Sequence, residues 1–174
     1  MKDLKKYIVS IPDFPEKGII FRDVTSLLQD SNGLSEAIDE MLKQVEDIEF
    51  DAVAGLESRG FLFGAPIAYM RKKGLVTVRK KGKLPRETVS AEYSLEYGTA
   101  EVEIHTDAIR KGDRVVIVDD LIATGGTLEA AVKLVERLGG EVVRIVCLIE
   151  LPGLKGRDRL KGYDVRSIVS YDGE

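Results

Sequence analysis

The stretch Val115-Val116-Ile117-Val118-Asp119-Asp120-Leu121-Ile122-Ala123-Thr124-Gly125-Gly126-Thr127 restricts the fold more than any other in the chain. Its start is apolar and β-branched with no polar face. It therefore reads as a strand, Arg114 to Val118, buried on both sides in a helix-covered parallel sheet. From Gly126 to Leu138 the period changes: Leu128, Ala131, Val132, Leu134, Val135 and Leu138 form the apolar face of a helix that stops at Gly139-Gly140. Between strand and helix lie two adjacent carboxylates and a turn of small, hydroxyl and glycine residues. The turn leaves main-chain N–H groups at a helix N-terminus, where an anion binds readily. In a continuing strand the side chains of Asp119 and Asp120 would point to opposite faces; a bend at the strand end would turn both to one ligand. Burying both as anions is costly unless hydroxyl donors or a cation offset it. Acids that accept from hydroxyls, beside amides that donate to a phosphate, describe a sugar-phosphate site.

The same alternation of strand and helix runs through the rest of the chain. Leu34, Ile38, Met41, Leu42, Val45 and Ile48 share a helical face, with Ser31 or Ser35 as the expected cap. Ala52-Val53-Ala54 is a short strand ending at Gly55, and Gly60 to Arg71 is a helix that Gly74 can end. Leu75 to Val78 is a strand running into the basic cluster Arg79 to Lys83. Pro85 to Ala91 is polar and aperiodic and is expected to be mobile. Tyr93 to Tyr97 and the alternating Ala100 to Ile104 flank Gly98-Thr99 as a β-hairpin. Val142 to Ile149 is a buried strand, Pro152 to Leu160 a short helix and Val165 to Val169 a last strand. The expected fold is α/β, with a mainly parallel sheet flanked by helices and its ligand at the carboxyl ends of the strands. Both Glu57-Ser58-Arg59 and Asp119-Asp120 fall there.

Composition excludes several alternatives. A length of 174 residues suits one domain. A net charge of -4 offers no basic surface for nucleic acid. The longest mostly apolar stretch, Gly60 to Met70, is too short to span a bilayer, and the start lacks the apolar core of a secretion signal. The single cysteine, Cys147, sits in an apolar run and suits a reducing compartment, so a cytoplasmic location is expected. His105 alternates with Val102 and Ile104 on the face of Glu101 and Glu103, and is expected to face solvent. No Cys/His cluster suggests zinc.

The Asp-Asp strand end and its turn contain neither a Walker A loop nor a dinucleotide fingerprint. They resemble the phosphoribosyl pyrophosphate loop of the type I phosphoribosyltransferases. Four further segments are similar to the adenine phosphoribosyltransferases of that family, and the likeness runs from about Ile11 to Lys161. They are Phe14-Pro15 with Gly18 to Asp23, Gly55 to Gly64, Arg79 to Pro85, and Tyr93-Ser94-Leu95-Glu96-Tyr97-Gly98.

The resemblance implies a type I phosphoribosyltransferase fold with an N-terminal hood, about residues 1–33, and a flexible lid hairpin, about residues 86–104. It implies transfer of a phosphoribosyl group from phosphoribosyl pyrophosphate to adenine. Asp119 and Asp120 would hold the ribose hydroxyls, while Ala123, Thr124, Gly125, Gly126 and Thr127 cradle the 5-phosphate. Glu57, Ser58, Arg59, Arg79 and Lys83 would serve the pyrophosphate, with a non-proline cis peptide at Glu57-Ser58. Phe21 would stack on adenine, and the main chain of Ile20 and Arg22 would read its edge. Glu96 is the candidate general acid/base and, with Arg59, the catalytic pair; Tyr97 lies beside it in the lid. Magnesium held mainly through substrate oxygens, a homodimer, and no nucleic-acid or membrane partner complete the expectation. The alternatives are a phosphoribosyltransferase for another purine base and a regulator that senses phosphoribosyl pyrophosphate. A winged-helix extension or basic face would mark the regulator, and the chain has neither.

Overall fold

A computed structural model describes residues 3–95 and 98–172. After a 3-10 turn at Leu4–Tyr7, strands β1 (Val9–Pro12) and β2 (Ile20–Asp23) pair antiparallel as a separate small sheet. Helices α1 (Val24–Gln29) and α2 (Ser31–Lys43) follow. The cap of α2 is Asp30, whose carboxylate accepts the N–H groups of Asn32 and Gly33 at 2.9 and 2.8 Å, and not the expected Ser31 or Ser35. An aspartate at this place both accepts the orphan donors and complements the helix dipole. Val45 and Ile48 lie beyond the helix end.

The chain then alternates through β3 (Ala52–Leu56), α3 (Arg59–Arg71), β4 (Gly74–Lys80), β5 (Thr88–Ser94), β6 (Thr99–His105), β7 (Arg114–Ile122), α4 (Gly126–Arg137), β8 (Glu141–Glu150) and β9 (Val165–Ser170). Pro152–Leu154 and Gly156–Leu160 are 3-10 turns between the last two strands, where the sequence suggested one short helix. Lys72 in the left-handed region ends α3, leaving Gly74 to begin β4. The large sheet has the order β5-β6-β4-β3-β7-β8-β9. The five strands from β4 to β9 are parallel, and the β5–β6 hairpin adds to their edge antiparallel. Thr88 to Ala91 pair with His105 to Val102, so the part of the approach expected to be mobile is an edge strand.

Helices cover both faces. Ala37, Met41, Phe63 and Ile67 pack with Val116 and Val118 on one side; Leu128, Ala131, Leu134 and Val135 pack with Val115 and Ile117 on the other. From β3 the chain crosses to β4 on one side, and from β7 to β8 on the other. The crevice between the carboxyl ends of β3 and β7 is thus the switch point where an open α/β sheet binds its ligand.

Candidate active site

Strand β7 continues through the paired acids to Ile122, beyond the expected end at Val118. Its alternation nevertheless slips there. Val116 and Val118 pack on the α3 side and Val115 and Ile117 on the α4 side, but Leu121 is on the α3 side and Ile122 on the α4 side. Strand β8 slips in step, with Leu148 and Ile149 both on the α3 side. A regular strand would send adjacent side chains to opposite faces; across this slip Asp119 and Asp120 both line one cavity of about 380 Å³.

Leu56, Glu57, Ser58, Arg59, Lys80 and Thr127 share that cavity. The Arg59 guanidinium Nε donates to Asp120 Oδ2, which raises the arginine pKa further. Asp119 Oδ1 accepts the Asp120 N–H at 2.8 Å. Burial, and then the charge of Asp120, push the Asp119 carboxyl well above the ordinary carboxylate range. This acid lacks full compensation within the chain. At the start of α3, Gly60 makes room for it: a Cβ there would lie 2.9 Å from the Val118 carbonyl and 3.0 Å from Asp119 Oδ1.

The peptide Glu57-Ser58 is cis, as the resemblance implied. Burial raises the Glu57 carboxyl, but a 2.8 Å bond from Lys83 Nζ and a 2.7 Å bond from the Lys80 N–H hold it below its ordinary value. Arg79 Nε lies 3.5 Å from the same carboxylate. Arg79 and Lys83 thus meet Glu57 and do not line the cavity, whereas Lys80 does. Alternation carried that signal: Lys80 shares a face with Val78, which also lines the cavity.

The turn before α4 is built on a backbone-to-backbone contact. Gly125 has φ +80°, and a Cβ on it would lie 2.4 Å from the Gly156 carbonyl oxygen. A Cβ on Gly156 would lie 2.3 Å from that of Ala123. Next to Gly156, Arg157 grips buried Glu150 of β8 at 2.6 and 2.7 Å and the Val165 carbonyl of β9 at 2.7 Å. No side chain caps α4, so the Thr124 hydroxyl is not spent as a helix cap.

A second cavity, about 780 Å³, shares Tyr93 and Thr127 with the first. Gly18, Ile20 and Arg22 of the hood line it, together with Thr124, Leu151, Leu154, Arg159 and Tyr171. Phe21, between Ile20 and Arg22 in β2, faces the other way and meets Phe14 edge-on at 5.2 Å. The Arg22 guanidinium lies over the Tyr171 ring, 4.1 Å from its centre. Glu96 and Tyr97 fall outside the described residues; Ser94 and Leu95 just before them line the larger cavity. Ala123, Gly125 and Gly126 are not among the lining residues, although Gly126 approaches Tyr93: a Cβ would meet its ring at 3.4 Å.

Sequence reasoning missed Lys80, Tyr93, Ser94, Leu154, Arg159 and Tyr171 as cavity walls. Arg159 and Tyr171 reach the site only through tertiary contact and carry no local signal. His105 does not simply face solvent: it is half-buried, its Nδ1 lies 3.1 Å from an Arg86 nitrogen, and its Nε2 is buried without a partner among the described residues.

The Phosphoribosyl transferase domain family matches residues 23–173. An adenine phosphoribosyltransferase from Lachnoclostridium phytofermentans is 61% identical over 174 residues, the whole of both chains. The structure of an adenine phosphoribosyltransferase from Thermoanaerobacter pseudethanolicus superposes with a TM-score of 0.94 at 54% identity, covering 97% of this chain and 98% of the other. The Saccharomyces cerevisiae adenine phosphoribosyltransferase was solved with adenine and D-2,5-dideoxy-2,5-imino-altritol 1,6-bisphosphate. It superposes with a TM-score of 0.89 at 40% identity, covering 95% and 96% of the two chains.

Proposed function

We infer, from the premise that this chain belongs to the adenine phosphoribosyltransferase family, that its two joined cavities divide the substrates between them. The enzyme transfers the 5-phosphoribosyl group of 5-phospho-α-D-ribose 1-diphosphate to N9 of adenine, giving AMP and diphosphate in purine salvage. One observation carries the division: the paired-acid cavity and the hood-lined cavity meet at Tyr93 and Thr127. A sugar seated at that junction would reach its leaving group on one side and a base on the other.

In this reading Asp119 and Asp120 accept from the ribose hydroxyls, and the under-compensated Asp119 gains the donors it lacks. The N–H groups of Ala123 to Thr127, with the Thr124 and Thr127 hydroxyls, donate to the 5-phosphate. Arg59 exchanges Asp120 for the pyrophosphate and, with the main-chain N–H groups of Glu57 and Ser58 and the cations Arg79 and Lys83 released from the Glu57 carboxylate, stabilises the charge that departs. The main chain of Ile20 and Arg22 reads adenine. Phe21 stacks on it only after the hood turns that ring inward. N9 attacks the anomeric carbon as its bond to pyrophosphate breaks, through an oxocarbenium-like state that gains most from positioning. Glu96 acts as general acid/base with Tyr97 beside it, and the hairpin of about residues 86–104 closes to exclude water.

The donor set fits magnesium carried on substrate. Among the described residues no three acidic, histidine or cysteine side chains converge as a metal site, and the hard donors at hand are the paired carboxylates. Such an ion would neutralise pyrophosphate charge. The family likeness implies a homodimer, and Leu62, Tyr69 and Met70 on the exposed face of α3 offer an apolar surface to a second copy. A cytoplasmic location accords with one buried, unpaired cysteine. No helix among the described residues is long and apolar enough to cross a membrane.

The test is nucleotide formation from phosphoribosyl pyrophosphate, magnesium and each nucleobase in turn. AMP from adenine alone is expected; comparable turnover of guanine or hypoxanthine overturns the base assignment. Glu96→Gln is expected to slow turnover with the fold retained, and an unchanged rate across pH removes Glu96 as the acid.

A further inference from the structure

Glu103 lines neither cavity, and its sequence pattern placed it on a solvent face. It is in fact only 4% exposed. It stands in β6, opposite Arg79 of β4 and Ser90 of β5. Its Oε1 accepts three main-chain N–H groups, from Gly82 at 3.1 Å, Lys83 at 3.2 Å and Leu84 at 3.0 Å. Its Oε2 accepts the Thr88 hydroxyl at 3.2 Å. Burial raises this carboxyl, but the amides of Leu84, Gly82 and Lys83 and the Thr88 hydroxyl outweigh it and hold the group below its ordinary value. Glu103 is therefore an anion at neutral pH.

The turn held this way is the one that carries the cations. The Lys81 N–H donates to the Glu101 carbonyl at 3.1 Å, fastening the turn's start to the same strand. Lys83 then reaches Glu57 on the wall of the smaller cavity, and Lys80 lines that wall. We propose that Glu103 is a positioning residue for pyrophosphate: it gathers the amides of Gly82 to Leu84 so that Lys80 and Lys83 stand at the leaving-group side of the site. This rests on the reading of the smaller cavity as the pyrophosphate site. Three donors converging on one oxygen call for a full negative charge. A glutamine there keeps the shape but offers a neutral oxygen, so the turn loosens without a void opening in the sheet.

The reverse reaction separates the two halves, because AMP and diphosphate enter as different molecules. Glu103→Gln is expected to raise the KM for diphosphate about tenfold while leaving the KM for AMP within about twofold. A fraction of unfolded protein would lower kcat and leave both KM values in place. Thr88→Val, which removes the donor to Oε2, is expected to shift the diphosphate KM the same way by less, and it carries the test if Glu103→Gln does not fold. Lys83→Ala is the control and is expected to raise the diphosphate KM. If it does so while Glu103→Gln and Thr88→Val do not, the positioning role is overturned. Equal rises for AMP and diphosphate in Glu103→Gln also overturn it, since that is general loosening. If Lys83→Ala leaves the diphosphate KM unchanged, the pyrophosphate reading of this loop falls and the inference falls with it.

Discussion

Asp119 and Glu103 are carboxylates drawn away from bulk water in different halves of the site, and they are shifted in opposite directions. Asp119 is raised by burial and by the neighbouring Asp120; Glu103 is lowered because four donors outweigh its burial. The first lies on a cavity wall and the second does not. The contrast separates two uses of a buried acid. One is left short of donors, which on the proposed reading a ligand's hydroxyls supply. The other is completed by the chain itself and gives the chain its shape. The supports around them differ likewise. The turn before α4 is held by contact between the backbones at Gly125 and Gly156, and the basic turn by one charged side chain.

The sharpest way to break the comparison is Gly156→Ala. The new Cβ would lie 2.3 Å from the Ala123 carbonyl oxygen and 3.1 Å from the Gly125 nitrogen, so the turn before α4, which the proposal assigns to the phosphate, must move. Overpacking of this kind costs about 1–3 kcal/mol of stability. A displaced binding turn costs about a hundredfold in KM for AMP. The KM for diphosphate should not change, and steady-state kinetics of the reverse reaction check both.

Next in size is Asp119→Asn. Its loss as a hydroxyl acceptor is expected to lower kcat/KM for phosphoribosyl pyrophosphate about tenfold. The same change should stabilise the substrate-free protein. A folded pKa above the unfolded value means that stability is lost as pH rises from about 3.9 through the folded value. Asparagine removes that loss, so the variant should be more stable at pH 7 by at most about 1 kcal/mol, melt correspondingly higher there, and match the parent in acid. A lower melting temperature at neutral pH would show that Asp119 is compensated within the chain after all.

Glu103→Gln should do the reverse in the same melts. A folded pKa below the unfolded value gives stability that is present above about 4.3 and lost as pH falls through the folded value. The variant should therefore melt lower than the parent at neutral pH by about 3 °C, the worth of roughly 1 kcal/mol in a chain this long. That deficit should close in acid. A deficit that persists unchanged below the folded value would mean that charge is not what holds the turn.

Much of this was legible in the sequence because the informative interactions are local. Apolar runs, β-branched in β7 and β8, marked β3, β7 and β8, and the strand, turn and helix around Asp119 to Thr127 lie within one contiguous stretch. What was hidden depends on partners distant in sequence. Glu103 looked solvent-facing because it alternates with Val102 and Ile104, and only the fold lays residues 82–84 over it. Polar Thr88 to Ala91 concealed an edge strand whose ladder is supplied by β6 alone. The slip that brings Asp119 and Asp120 to one cavity needs β8 to slip beside it, and no spacing in β7 announces that. Asp30 caps α2 in place of Ser31 or Ser35 because its carboxylate reaches the N–H groups of Asn32 and Gly33. Phe21 faces Phe14 because its neighbours Ile20 and Arg22 take the cavity side of β2.

On the proposed reading, one half of the site is built to hold the sugar phosphate and the other, separately, to hold pyrophosphate. The most direct measurement is reverse-reaction kinetics of the double variant Glu103→Gln/Gly156→Ala beside its two single variants. The AMP KM of the double variant is expected to equal that of Gly156→Ala, and its diphosphate KM that of Glu103→Gln. If either substitution moves the other half's KM, the two halves are not separately built.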